Sequence, residues 1–160
     1  MRKTEKVFLV VVMVCISSIT LTRRIIAQEP EVKVPSDYQA IFDNFSKAYE
    51  AKDATAVAQL FTVDGMEMAN GRAPIRGRAA IEAFYGRFGG PIVFKAIAFG
   101  KSGDVGYIIG EYGPDASSIN NNKFVFTLEK VSGKWLIMSA MSNSNRTPQP
   151  QPGPSSSVSH

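Results

Sequence analysis

"AYEAKDATAVAQLFTVDGMEM", Ala48 to Met68, takes one helix to its end, begins a second and runs out into a strand. Ala48 and Tyr49 complete a set with Tyr38, Ile41, Phe42 and Phe45 that recurs at three- and four-residue steps. That is the stripe of an amphipathic helix, with Ser36 as its N-cap and its end near Lys52. Asp53 caps a shorter helix over "ATAVAQLF", whose buried side is Val57, Leu60 and Phe61. Beyond it two carboxylates, Asp64 and Glu67, stand in a stretch otherwise rich in methionine and glycine.

Further along, "GRAPIRGRAAIEAFYGRFGG" is punctuated by Pro74 and Gly77, and a third helix is expected from about Arg78 to Phe88, stopped by Gly89 and Gly90. The rest reads as strands: "PIVFKAIAFGK", "DVGYIIGEYG", "NKFVFTLEKV" and "KWLIMSAMSNS". Short polar or glycine-containing separators make consecutive strands antiparallel hairpins. Helices first and a meander after define an α+β fold, three N-terminal helices packed on one face of a curved antiparallel sheet. Several outward strand positions are apolar, so a second copy of the chain is the expected cover for the other face.

Outside this body, Arg2, Lys3 and Lys6 precede the uncharged run "VFLVVVMVCISSITL". They read as the n- and h-regions of a secretory signal over 1–27, with Ile25 and Ala27 before a cleavage point at Gln28. The run is shorter than the roughly twenty residues of a spanning helix. A secreted or periplasmic protein is expected, with an uncleaved N-terminal membrane anchor as the alternative. Residues 28–35 form a linker, 36–146 the domain, and 147–160 a Pro- and Ser-rich tail unable to bury enough apolar surface to order itself.

The chain's net charge of +4 misleads about the domain. Five of the 18 basic residues and one of the 14 acids precede Gln28, which leaves a body of 13 each. A neutral body offers phosphate backbones no footprint, so no nucleic-acid partner is expected. The one cysteine, Cys15, lies in the h-region, and the one histidine, His160, is the last residue. Neither a His-dependent triad nor a Cys- or His-ligated metal can then sit in the domain, and no metal or cofactor is expected.

The order of helices, short strand, helix and long meander, together with "AYEAKDATAVAQLF", "IRGRAAIEAFY", "GEYG", "GKW" and "SNSN", resembles the cone-shaped, cystatin-like α+β barrel of the nuclear transport factor two-like superfamily. Within it the closest likeness is to SnoaL-like, ketosteroid-isomerase-like domains, over about residues 36 to 146. The resemblance implies a pocket between the helices and the concave sheet face, and a homodimer. In the isomerase branch a helix tyrosine and a protonated aspartate hold an oxyanion while a second aspartate moves the proton. Counted without gaps, those positions fall on Phe45, Val125 and Ala69 here, so that machinery is missing and the enzyme reading is disfavoured.

The same register implies a pocket wall of Gly106, Ile108 and Gly110 on one strand, Val125 and Thr127 on the next, and Met138, Ala140 and Ser142 on the last, and Phe45 and Ala69 are further pocket candidates. SnoaL-like domains often carry an acid and an aromatic where Ala140 and Ser142 stand. The polar candidates are Glu67, Glu111 and Tyr112. Glu67 shares a strand face with Ala69, yet period-two alternation would bury Met66 and Met68 and leave Glu67 in water. Trp135 is read as interface or outer-face packing, and Arg72, Arg76 and Arg78 as a solvated loop, with an anion-holding cluster at the pocket mouth as the alternative. Three functions fit: a non-catalytic domain binding a hydrophobic small molecule, an acid–base isomerase, cyclase or hydrolase, and a dimeric protein-interaction module.

Overall fold

The computed structural model describes residues 30–145; the expected signal segment, the tail, Cys15 and His160 lie outside the described residues. Helix α1 spans Ser36–Glu50, α2 Ala54–Gln59 and α3 Arg78–Tyr85. Strands β1 (Phe61–Met68) and β2 (Ile75–Arg76) flank the turn before α3. The meander is β3 (Val93–Ser102), β4 (Val105–Gly113), β5 (Asn122–Val131) and β6 (Lys134–Ser144).

Pro35, with its fixed φ, precedes α1, and no side chain caps that helix, so Ser36 is its first turn and not its cap. Asp53 caps α2 through the Ala56 N–H at 2.9 Å. The stripe of Tyr38, Ile41, Phe42, Phe45 and Ala48 is buried against the sheet. Gly89 and Gly90, both with positive φ, turn the chain from the third helix toward β3.

One sheet contains all six strands in the order β2-β1-β6-β5-β4-β3. Every pairing is antiparallel except β1 with β6, which is parallel. The hairpin rule governs only neighbours in sequence; β1 and β6 are far apart in the chain, and β2, α3 and the first three strands of the meander lie between them. The segment before α1 is docked as well: Val32 N–H donates to the Ala96 carbonyl at 2.9 Å and Val34 is buried.

The register of β5 and one bulge in β6 decide which side chains face the helices. In β5 it is Phe124, Phe126 and Leu128 that are buried, and Ile108 pairs with Phe126. Val125 and Thr127 therefore lie on the outer face, not on the pocket wall. A one-residue slip in an expected register exchanges the faces of a whole strand. In β6, Leu128 pairs with Ile137 and Thr127 with Ser139, so Met138 is the extra residue of a bulge. Ile137 and Ala140 face inward, and Met138 is turned outward instead of lining the pocket. The same side-switch corrects Trp135, which is buried under α1. Its Nε1–H donates to Asp37 Oδ2 at 2.9 Å and its ring meets Tyr38 edge-on at 5.2 Å.

Candidate functional site

Between α1, α3 and the concave sheet face lies a cavity of about 340 Å³, at the small end of the range for ligand pockets. Nine of its sixteen lining residues are aromatic, which makes most of the wall a set of ring surfaces. Phe45 from α1 meets Tyr85 edge-on at 5.6 Å and Phe94 of β3 at 5.4 Å. Phe94 in turn meets Tyr112 at 6.0 Å and Phe124 at 5.3 Å. These contacts hold each ring against its neighbour, so the cavity is pre-shaped by the core that surrounds it.

Glu67 belongs to this cavity and is 2% exposed. Its strand, β1, is sandwiched between β2 and β6, with Glu67 opposite Ile75 on one side and Ala140 on the other. Met66 and Met68 occupy the other face and are only half-buried. Alternation thus holds along β1 with the sides exchanged: the carboxylate is inside. Small neighbours make the space, since Ala69, Ala140 and Ser142 all line the cavity.

Tyr85, the last residue of α3, donates its O–H to Glu67 Oε2 at 2.7 Å. This is the carboxyl's one hydrogen bond. Burial pushes the Glu67 pKa up from the usual 4.5 to about 7, and the Tyr85 hydrogen bond only partly opposes that. The Tyr85 hydroxyl is raised well above its usual value, first by burial and then by the charge of Glu67. Tyr112 is raised by burial and by Glu67, with Ser142 pulling the other way. Burial followed by Tyr112 raises Tyr49. Four titratable groups from α1, β1, α3 and β4 therefore sense one another around a common space. No group of three His, Cys, Asp or Glu residues able to hold a metal lies among the described residues.

Of the candidate residues, Phe45, Glu67, Ala69, Tyr112, Ala140 and Ser142 lie on the cavity wall. Ile108 is fully buried in the core away from the cavity. Gly110, on the same inner face, is packed against the Lys95 carbonyl and the Phe124 ring. Neither lines the space. Glu111 is on the outer face, where Lys95 Nζ meets its Oε2 at 3.3 Å in the only ion pair among the described residues. It cannot serve as a pocket base. Of the three isomerase positions, Phe45 and Ala69 do line the cavity, whereas Val125 is replaced there by Phe124 and Phe126. Neither supplies an acid. Asp64 is exposed.

Tyr49 and Tyr85 escaped sequence reasoning as functional groups, because each sits in a helix where an aromatic is ordinary core. Only the meeting of α3 with β1, eighteen residues apart, pairs Tyr85 with Glu67.

No model of a known protein family matches the sequence, and no curated protein matches it. Solved structures do. A ketosteroid isomerase-like protein from Erwinia carotovora atroseptica is 17% identical, with 68% of this chain and 94% of that one covered at a TM-score of 0.58. An NTF-2 like protein of unknown function from Shewanella oneidensis is 18% identical over 66% and 95%, also at 0.58. A domain of unknown function with a cystatin-like fold from Nostoc punctiforme is 13% identical over 72% and 81%, at 0.59. The chain has the cystatin-like, nuclear transport factor two-like fold. At these identities the likeness extends to the fold alone, and function has to be argued from the site.

Proposed function

We propose that this domain binds a small, ring-bearing, largely apolar molecule in the cavity under α1 and α3, with Glu67 meeting the ligand's one polar group. The observation that carries this reading is a ring-walled space holding a single buried carboxyl with one hydrogen-bond partner. The rings supply area-dependent affinity, and the carboxyl supplies orientation. Small aromatic compounds are expected to raise the melting temperature of the protein in a concentration-dependent way. Ala140→Phe, which fills the space beside Glu67, should abolish that shift; ligand shifts that survive it would refute the site.

A second reading, acid–base catalysis on the same ligand, is favoured by the Glu67 pKa of about 7, where a carboxyl can both take and give a proton. Tyr112 would be its hydrogen-bond donor to the substrate. Binding alone leaves the ligand unchanged in heavy water; catalysis incorporates deuterium at a carbon.

Two further proposals concern assembly and location. Ile109, Val125 and Met141 form an apolar row across β4, β5 and β6 on the outer sheet face, and Met141 is 49% exposed. A second copy of this chain is the proposed cover. Sedimentation should then report twice the chain mass, and Met141→Lys should halve it; a monomeric wild type would sink the idea. Export through the segment before Gln28 is also proposed, for which N-terminal sequencing of the mature protein should start at Gln28.

A further inference from the structure

The polar atoms around the cavity are unevenly matched. Glu67 offers two carboxyl oxygens and receives one hydrogen bond, from Tyr85. The Tyr49 hydroxyl from α1, and the Tyr112 hydroxyl from β4 and Ser142 hydroxyl from β6, which interact with each other, each bring one donor and two acceptor lone pairs, so acceptor sites outnumber donors around the carboxyl. The buried face carries no cation. Arg72 is the one basic residue on the lining, and it is exposed, with its guanidinium 5.7 Å from the Phe84 ring centroid. There water screens its charge from the floor. Asn70, beside it, is exposed as well.

A group that complements this space must bring donors and positive charge. A carbonyl or carboxylate ligand would add acceptors where acceptors are already in excess. A buried carboxylate without a cation is costly, and a ligand that supplies the cation removes that cost. Ring walls favour the same charge, because the aromatic quadrupole attracts cations, more strongly when they are desolvated.

We propose that the cavity's ligand is a small organic cation, a ring-bearing primary amine whose ammonium group seats against the Glu67 carboxylate among the tyrosine hydroxyls. This rests on the ligand-binding reading and names the chemistry of its polar group. Binding the ammonium holds Glu67 ionised, so affinity rises with pH through the range where the free carboxyl loses its proton. Tyr49, Tyr85 and Tyr112 stay protonated throughout that range, since each is raised from an already high value.

Calorimetric titration of the protein with three probes of similar size tests this: phenethylamine, 2-phenylethanol and phenylacetate, each at pH 5 and pH 8. At pH 8 the amine should bind about tenfold tighter than the alcohol, with phenylacetate weakest. At pH 5 the advantage of the amine should largely vanish. In Glu67→Gln the amine should lose its preference at both pH values while the alcohol still binds. An alcohol that binds as tightly as the amine at pH 8, or an amine preference that ignores pH, overturns the cation assignment and leaves a pocket for neutral molecules. Tightest binding by phenylacetate overturns it in favour of an anion site at Arg72. No heat with any probe overturns the ligand-binding reading together with it.

Discussion

Glu67→Gln should stabilise the ligand-free protein by about 3 kcal/mol at pH 8 relative to its effect at pH 4. Glu67 ionises near 4.5 in the unfolded chain and at about 7 in the folded one. Below 4.5 both states hold the proton and the group costs nothing. Between 4.5 and 7 the unfolded chain gives up its proton while the folded protein keeps it, so stability falls as pH rises. Above 7 both are ionised and the loss levels off. Glutamine keeps the volume and can still accept the Tyr85 O–H, but it has no charge to bury. Urea denaturation of wild type and variant across this range measures the difference, in which contributions from other groups cancel. Two parallel stability curves would show that Glu67 is solvated. Tyr85→Phe is the companion experiment: with its one donor removed, Glu67 should titrate higher than in the wild type when its carboxyl carbon is followed by NMR. The functional consequence is that the empty cavity carries a stability cost at neutral pH which a suitable ligand offsets.

Gly110→Ala should destabilise the domain by about 2–3 kcal/mol, the range expected for overpacking a closed site. A Cβ at Gly110 would run into the backbone carbonyl of Lys95 and lie 2.7 Å from Phe124 Cε1. The carbonyl belongs to β3, just before the bulge between Ala96 and Ala98, and the ring belongs to the packed inner face of β5. Neither is the free end of a flexible chain, so β3 has to move. That movement also displaces Phe94, a wall of the cavity, so ligand-induced stabilisation should weaken in the same variant. Gly86→Ala is the control. Gly86 has an ordinary helical φ of −57° and its Cβ would find ordinary contact, so its effect should stay within about 1 kcal/mol, on the stabilising side. Equal denaturation midpoints for the two variants would show that β3 and β4 are less closely packed at Gly110 than the structure has them.

Gly110 also marks how far local pattern reaches. Its place on the inner face of β4 follows from alternation, but its reason for being glycine is the backbone of another strand. Phe124, Phe126 and Leu128 alternate with Val125, Thr127 and Glu129, and the larger apolar set was the available signal for the inner face of β5. The ungapped family register runs against that signal and lands one residue off, on Val125 of the outer face, whereas Phe124 and Phe126 face the cavity. For Glu67 no such local signal exists. Its two methionine neighbours favour burying the other face, and the burial of a carboxyl depends on partners that the strand itself does not contain.

The periodicity of α1, the capping aspartate of α2, the glycine stops and the succession of strands all lie within short windows of sequence. Helix and strand repeats impose themselves over such windows, and these features alone fixed the α+β class, the order of elements and the helical face of the core. Tertiary structure decided the rest: the parallel seam of β1 with β6, the outward turn of Met138, and the approach of Tyr85 to Glu67. Each depends on the pairing of segments distant in the chain, where one residue of register or one bulge exchanges inside for outside. The chemistry of the cavity follows from those pairings, because a carboxyl shows its burial and its raised pKa only once another element has closed over it.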